Sequence, residues 1–322
     1  MMNEIFFMTP IFKERIWGGR KLNTEWNYDI PKGRVGECWA VSAHKSGKSI
    51  VFGGPYSGYS LKDLWDEHPE FFNNADANGE LIEKEFPLLT KIIDAEDNLS
   101  IQVHPDDEYA KANERRGCGK NECWYIVDAK AGSKLVVGHN ATSKEELKQM
   151  IYDGRWAELI REVPIKKGDF VSIPPGTVHS IKGGIQVLET QQNSDITYRL
   201  YDYDRLSDGT TRELHLDRCI DVVTIPALSN EDSVKDTNDC KKNEAVTLTS
   251  NKHFTVDKYD VTDSVKFTQN RNYMIFSVVE GNGIIKVGDG EYDLKKGMHF
   301  ILPYNIGDVV IAGKITLIAS YK

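Results

Sequence analysis

Short apolar runs, separated by turn residues and polar stretches, dominate the pattern along this chain of 322 residues. Runs of this kind, bounded by Gly, Pro, Asn and Asp, are typical of antiparallel sandwiches and barrels. The pattern therefore predicts a mainly β fold. The runs lie at 36–42, 99–103, 123–127, 134–137, 170–173, 185–188 and 197–201.

Two segments interrupt the strand pattern with helical signals. The first lies near 61–72 and follows Ser60, a suitable N-cap residue. The second lies near 144–161 and is entered through Ser143-Lys-Glu-Glu146, a capping box. We expect both helices to pack against the N-terminal β part.

The chain is longer than the roughly 250–300 residues at which single cores stop growing, so two domains are expected. Residues 230–244 are polar and lack periodicity, which indicates a linker or loop. We therefore predict a domain over 1–229, which includes both helical segments, and a second domain over 245–322.

An internal repeat connects the two predicted domains. Residues 295–305 resemble residues 166–176 at an offset of 129 positions. Such self-similarity indicates two related β units. The second copy has Ile306-Gly-Asp308 where the first ends on His179. We expect the second unit to be degenerate and structural.

Charge and composition exclude several classes of function. A formal net charge of −9 without a basic patch argues against nucleic-acid binding. No apolar run approaches the ~18–20 residues of a membrane span, and the N-terminus lacks the basic start of a secretion signal. Five cysteines, an odd number, are expected to stay reduced. The composition predicts a cytoplasmic protein without a membrane or nucleic-acid partner.

Two motifs carry candidate metal ligands. Gln102 and His104 are two positions apart in a predicted strand, so their side chains point to one face. The segment from Gly168 to His179 follows the pattern G-x5-P-x-G-x2-H. This spacing resembles the second motif of cupin barrels, in which the histidine binds a metal. The pair of motifs predicts a cupin-type metal site.

A third ligand is needed, because a catalytic zinc takes about three protein ligands and one open position. Glu122 is the candidate, since residues 121–127 are expected to form a strand beside the one that bears His104. The alternative is a solvated acid at a strand end. The assignment requires residues 106–120 to form a loop inserted over the site.

The chain resembles the type I mannose-6-phosphate isomerases, in their shorter bacterial form. The resemblance implies two cupin-like (jelly-roll) barrels, the second degenerate. It also implies one zinc ion per chain, and it implies that the substrate is a sugar phosphate. The matching motifs lie at 17–19, 36–39, 99–106, 120–122, 174–179 and 192–199.

The same resemblance implies roles for individual residues. Zinc would be bound by residues that match the family's ligands, namely Gln102, His104, Glu122 and His179. Arg199 and Lys120 would take part in catalysis. The family reaction interconverts mannose 6-phosphate and fructose 6-phosphate through an enediol, with proton transfer between C1 and C2. The oligomeric state is left open.

Arg199 suits the chemistry of such a reaction. Negative charge develops on O1 and O2 of the sugar, and a guanidinium presents a permanent charge with a planar fork of donors. Strand alternation places Arg199 on one face with Thr197 and Tyr201. The alternative for Arg199 is a structural salt bridge.

The phosphate of the substrate requires a local cation, and the sequence leaves several open. Trp17, Lys91 and Asp195 are predicted to contact the substrate. The proton-transfer base is also open. Candidate cations are Lys120, Lys91 and either Lys13 or Arg15, and candidate bases are His104, Lys120, Glu189, Asp195 and a metal-bound water.

Two other functions share this pattern. Two histidines and one glutamate are also the ligands of non-haem iron oxygenases, a different class of enzyme. A non-catalytic protein that binds sugar phosphates would keep the site without turnover. Metal content separates the first alternative from an isomerase, and an activity assay separates the second.

Overall fold

Strands dominate the computed structural model, which describes residues 4–114, 117–207 and 209–322. The strands before residue 240 are β1 (Phe6–Thr9), β2 (Ile11–Gly19), β3 (Val35–Ser42), β4 (Ile50–Phe52), β5 (Leu88–Ala95), β6 (Ile101–Val103), β7 (Glu122–Asp128), β8 (Lys134–His139), β9 (Ile160–Pro164), β10 (Asp169–Ile173), β11 (His179–Ser180), β12 (Ile185–Gln192), β13 (Tyr198–Tyr201), β14 (Leu206–Ser207), β15 (Thr210–Thr211) and β16 (Val234–Asp236). The later strands are β17 (Ala245–Ser250), β18 (Thr255–Val261), β19 (Ser264–Gln269), β20 (Tyr273–Val287), β21 (Gly290–Lys295), β22 (His299–Pro303) and β23 (Gly307–Tyr321).

Helices are short and lie mostly in the N-terminal part. None in the described ranges is both long and apolar enough to cross a membrane. The helices are α1 (Lys21–Thr24), α2 (Leu61–Glu67), α3 (Asp107–Asn113), α4 (Lys144–Tyr152), α5 (Trp156–Leu159), α6 (Leu216–Val222) and α7 (Asn230–Ser233), with a 3-10 turn at Pro69–Phe72.

Two antiparallel sheets form the N-terminal unit. One has seven strands in the order β16-β10-β7-β12-β5-β2-β3, and the other has five in the order β13-β6-β11-β8-β9. Buried residues from both sheets share one apolar cluster, which includes Ile93 and Trp124 from the first sheet and Val137 from the second. The sheets therefore face each other across a common core, as a sandwich does.

One nine-stranded sheet forms the C-terminal unit, and its longest strands are β20 and β23, with 15 residues each. The first half of β20 pairs with β22 and its second half with β21, so the sheet folds over itself. Its interior is apolar and contains the stacked rings of Phe276 and Phe300, 5.1 Å apart. The mainly β, cupin-type fold expected from the sequence is confirmed.

Sheet membership does not follow the predicted boundaries of 1–229, 230–244 and 245–322. Strands β1 and β4 lie early in the chain but extend the C-terminal sheet, because β1 pairs with β22. Within the predicted linker, α7 and β16 are ordered, and β16 pairs with β10 of the N-terminal unit. These pairings join distant parts of the sequence, so local polarity could not reveal them.

The two predicted helical segments are present but broken. In the first, α2 has a complete capping box at Ser60 and ends before Pro69, which lacks an N–H and opens the 3-10 turn. In the second, α4 ends at Tyr152, Gly154 adopts a left-handed conformation (φ 66°), and α5 ends at Leu159. The prediction that helix extends to 161 is wrong, because β9 begins at Ile160.

Aromatic packing and several polar contacts join the two units. Trp65 of α2 and Phe86 pack edge-on or tilted against Tyr273 of β20, at 5.2 to 6.3 Å between ring centroids. Tyr28 donates a hydrogen bond to the carbonyl of Gly297, at 2.7 Å. The aromatic part of the junction is therefore buried. All five cysteines are free, as expected.

Candidate metal centre

The predicted metal ligands come from both sheets of the N-terminal unit. Gln102 on β6 lies directly opposite His179 on β11 in the five-stranded sheet, and His104 follows β6. Glu122 is the first residue of β7 in the seven-stranded sheet. The expectation that its strand lies beside that of His104 is wrong, since β7 pairs with β10 and β12. The carboxylate faces the histidines across the interior instead.

The three side chains form a tight, buried cluster. Candidate ligand atoms of His104, Glu122 and His179 all lie within 4.8 Å of one another. His179 Nε2 is 3.3 Å from Glu122 Oε1, and His104 Nε2 is 3.5 Å from Glu122 Oε2. Each side chain is at most 1 % exposed. This spacing leaves room for one ion among them.

Backbone carbonyls orient both histidine rings. His104 Nδ1 is 2.8 Å from the carbonyl of Ile196, and His179 Nδ1 is 2.9 Å from that of Thr177. An Nδ1–H that donates to a carbonyl leaves Nε2 unprotonated and directed at the cluster. Metal-binding histidines are held in this way, because the second hydrogen bond fixes the tautomer.

Electrostatics within the cluster favour a cation. Burial lowers the pKa of His104 well below its usual value and that of His179 to about 4, so both rings stay neutral. Burial also raises the pKa of Glu122 to about 8, against the opposing charge of Lys120. Oε1 of Glu122 is buried and accepts no hydrogen bond. Two neutral imidazoles beside such a carboxylate fit a divalent metal such as zinc.

Gln102 lies at the rim of the same cluster. Its Nε2 is 3.3 Å from His179 Nε2, and Ser100 donates a hydrogen bond to its Oε1, at 3.3 Å. The two ends of an amide are assigned from their hydrogen bonds. Turning this amide over directs Oε1 toward the cluster, which is the orientation that a fourth ligand requires.

A row of alternating charges lies beside the cluster. Lys120 forms an ion pair with Glu122 and lies 3.7 Å from Glu189, which lies 3.2 Å from Lys91. Burial disfavours the charge on Lys120, but the two glutamates outweigh it and raise its pKa. Burial likewise disfavours the charge on Glu189, but the two lysines hold its pKa below the usual value. The two lysines and two glutamates therefore alternate along the row, and each buried glutamate lies beside a lysine.

One cavity of about 450 Å³ is lined by Lys91, Lys120 and Glu189 of this row and by His179, whereas Glu122 and His104 lie outside its wall. Lys13, one of the candidate cations, is absent from its wall, because its Nζ donates to the carbonyl of Ser46 at 2.6 Å. Arg15 does line it and pairs with Glu37 at 2.8 Å. The predicted site residues in the wall are Trp17, Lys91, Gln102, Lys120, His179, Asp195 and Arg199.

Arg199 presents an available guanidinium to the cavity. It lies on β13, opposite Gln102, and its Nη1 donates to the carbonyl of Glu213 at 2.9 Å. Its Nε is buried without a hydrogen-bond partner, and the guanidinium forms no ion pair with any described residue. A structural salt bridge, the alternative role for Arg199, would need a carboxylate partner, and none is found among the described residues.

The expected common face of Thr197, Arg199 and Tyr201 is only partly observed. Thr197 and Arg199 line the cavity, whereas Tyr201 stacks on Trp156 at 4.7 Å. The pairing of β13 with β6 shifts register between Arg199 and Tyr201. Such an irregularity reverses the side on which the later residue points.

Sequence reasoning missed several residues of the cavity wall. Glu37 accepts hydrogen bonds from both Arg15 and Trp39, each at 2.8 Å. It belongs to the segment 36–39, which the sequence singled out without a role. Arg212 and His215 also line the cavity, and no motif marks them. They reach it only because the chain returns along the edge of β13.

The fold and the buried histidine–glutamate cluster define a cupin protein with a candidate metal centre. Residues 5–120 match the family model "Phosphomannose isomerase type I, catalytic domain", and residues 244–322 match "Mannose-6-phosphate isomerase, cupin domain". The chain belongs to the type I mannose-6-phosphate isomerase family.

Relatives match this chain over its full length. Mannose-6-phosphate isomerase ManA of Bacillus subtilis (strain 168) is 45% identical over 322 residues, covering 100% of both chains. A mannose-6-phosphate isomerase of Streptococcus mutans is also 45% identical, covering 100% of this chain and 99% of that one. A crystal structure of the mannose 6-phosphate isomerase from Bacillus subtilis superimposes with a TM-score of 0.89 at 43% identity, covering 99% of each chain.

Proposed function

We propose that this protein interconverts mannose 6-phosphate and fructose 6-phosphate. The observation that carries the proposal is the arrangement of the cavity, in which the His104–Glu122–His179 cluster lies behind a wall that includes an unpaired Arg199. Full-length relatives that carry the name of this activity support it.

We further propose that the cluster binds one zinc ion, with Gln102 as the fourth protein ligand. A solved mannose 6-phosphate isomerase described as bound with zinc and yttrium has the same fold, with a TM-score of 0.79 at 17% identity. When bound there, the ion would supply Lewis-acid polarisation of a sugar oxygen. Neutral imidazoles and an unpartnered carboxylate oxygen support this ligand set.

Arg199 is proposed to stabilise the negative charge that develops on O1 and O2 of the sugar. Its unpartnered Nε and its Nη groups are donors held in place before the reaction begins. Preorganised donors directed at developing charge stabilise a transition state without further reorganisation. Lys120 is proposed to assist, because its buried ammonium lies 3.2 Å from His104 Nε2 and beside Glu122.

The remaining wall of the cavity is proposed to hold the open-chain sugar phosphate. Lys91 supplies a buried ammonium over the ring of Trp39, 5.4 Å from its centre. Trp17 supplies an apolar wall, and Asp195 lies at the solvent side, half-exposed. Of the candidate proton-transfer bases, Glu189, Lys120 and Asp195 lie in this wall, and His104 and a metal-bound water remain the other candidates.

A coupled assay tests the proposal. Fructose 6-phosphate formed from mannose 6-phosphate is measured with purified protein, and metal content is determined on the same sample. We expect turnover and zinc. Iron with oxygen consumption and no isomerisation would point to the oxygenase alternative. Binding of the sugar phosphate without turnover would point to a non-catalytic binding protein.

A further inference from the structure

Residues 212–215 run along the outer edge of β13. They form hydrogen bonds with three atoms of Arg199, namely N, O and Nη1. His215 N donates to the carbonyl of Arg199 at 2.8 Å, and Arg199 N donates to His215 Nδ1 at 3.1 Å. Glu213 accepts the hydrogen bond from Arg199 Nη1 through its carbonyl. This segment therefore binds both the backbone of Arg199 and one nitrogen of its guanidinium.

These contacts replace a missing strand partner. β13 is the outermost strand of the five-stranded sheet, so the outward N–H and C=O of Arg199 have no ladder to join. The side chain of His215 accepts from that N–H, and its backbone donates to that C=O. An imidazole nitrogen thus does at this position what a backbone carbonyl does within a sheet.

The segment is anchored at both of its ends. Arg212 donates to both oxygens of Asp202, which follows β13, at 2.7 and 2.5 Å. After His215 the chain enters α6, which buries Cys219 and Ile220 against the apolar cluster under β13. The hydrogen bonds to Arg199 are consequently made by a backbone that is already fixed.

We propose that His215 is a positioning residue, which sets the direction of the Arg199 guanidinium by holding the edge of β13. Because Nδ1 accepts, the ring is neutral with its proton on Nε2. The inference rests on the proposed isomerase function and deepens it. It assigns to His215, which also lines the cavity, a role that it performs through Arg199.

Two nearly isosteric variants test the proposal. His215→Asn places its Oδ1 where Nδ1 stands and keeps the acceptor, whereas His215→Leu keeps the shape and removes it. We expect H215L to lower kcat for mannose 6-phosphate by about 10- to 100-fold, as for a small misplacement of a catalytic group. We expect H215N to retain most of kcat, and metal content to stay unchanged in both.

Leu214→Ala is the matched control on the same segment, because the Leu214 side chain is 40% exposed and lies outside the cavity wall. It is expected to leave kcat unchanged. A double variant with Arg199→Lys adds a readout that a packing role would not alter. If His215 acts through Arg199, H215L lowers kcat much less in the R199K background than in the wild type.

Several results would overturn the proposal. A folded H215N protein with the low kcat of H215L would do so, even if H215L itself failed to fold. So would wild-type kcat in H215L, or losses from H215L and R199K that multiply. Crystal structures give a readout without turnover, in which the Arg199–Glu213 hydrogen bond persists in H215N and is lost in H215L. An inactive wild type would refute the proposed function, and these structures would still judge the positioning role.

Discussion

The two copies of the internal repeat share a local backbone geometry but end on different residues. Gly168 and Gly297 both adopt a left-handed conformation, with φ of 87° and 89°, and each precedes a buried strand. In the N-terminal unit the chain then reaches His179, which is 1% exposed. In the C-terminal unit the corresponding residue is Asp308, which pairs at the surface with Lys266. The shared turn and strand are therefore not sufficient to form a metal-binding cluster.

What differs is whether the polar atoms around the buried histidines find partners within the protein. The C-terminal unit has its own buried histidine, His299, but Nδ1 contacts Ser277 at 2.9 Å and Nε2 contacts Tyr28 at 2.8 Å. In the N-terminal unit an oxygen of Glu122 has no hydrogen-bond partner. Buried charge without full compensation is costly. The carboxylate beside His179 keeps an unpartnered oxygen, whereas both ring nitrogens of His299 have partners. We therefore expect the N-terminal cluster, and not His299, to bind a metal.

The largest effect is expected when His179 and His299 are each replaced by alanine. His179→Ala is expected to abolish both metal binding and turnover. His299→Ala is expected to keep the metal and the kcat of the folded protein, at a cost of about 1–3 kcal/mol in unfolding free energy, because Ser277 and Tyr28 lose a partner. Metal analysis, kinetics and denaturant unfolding on both variants check this. Loss of metal from H299A with retention in H179A would reverse the assignment.

The next effect concerns the phosphate, which is remote from C1 and C2. Binding energy from this group can hold the opened sugar in place, so kcat/KM for mannose 6-phosphate should exceed that for free mannose by on the order of 10³-fold. Similar values for both sugars would refute the cationic pocket.

Single replacements then locate the phosphate contact. Arg15, Lys91 and Lys120 line the cavity, and each is changed to Met. The responsible change is expected to erode the preference for the phosphorylated sugar. Lys13→Met is the control, since Lys13 lies outside the cavity wall and is expected to keep the preference.

The substitution Arg199→Lys keeps the positive charge but removes the planar set of guanidinium donors. We expect kcat to fall by about 10²-fold, as for loss of one preorganised donor, while metal content stays unchanged. Steady-state kinetics with metal analysis check this. An unaltered kcat would return Arg199 to a structural role.

The smallest effect on activity is expected from the apolar interior of the C-terminal unit. Phe276 is fully buried and stacks on Phe300. Phe276→Ala is expected to cost about 3–5 kcal/mol in unfolding free energy through the cavity that it leaves. The folded fraction should keep its kcat and its metal. Loss of metal from folded protein would show that the C-terminal unit shapes the site directly.

Local spacing allowed much of the structure to be predicted. Ser60 and Ser143 were predicted to cap helices, and each side chain accepts from the backbone N–H three positions later. The capping box predicted at Ser143 is incomplete, because the Glu146 carboxylate accepts from Thr142 instead. Gln102, His104 and His179 were singled out by strand alternation and turn spacing, and they meet at one cluster. Their role as metal ligands stays a prediction.

Long-range pairing could not be predicted in the same way. Nothing in the sequence around Phe6 indicates that β1 pairs with β22, almost three hundred positions later. Glu122 was selected correctly as a member of the cluster but placed in the wrong sheet, because strand order is not encoded in local pattern. His215 contacts Arg199 across a chain reversal, so no motif spacing marks it.

Metal reconstitution tests the central claim most directly. The protein is stripped with a chelator, zinc is added in steps, and bound metal and conversion of mannose 6-phosphate are measured on the same samples. The account predicts that activity is lost on stripping and rises to a plateau at one zinc per chain, since the described residues form one His/Glu cluster. Full activity in protein shown to be metal-free would contradict it.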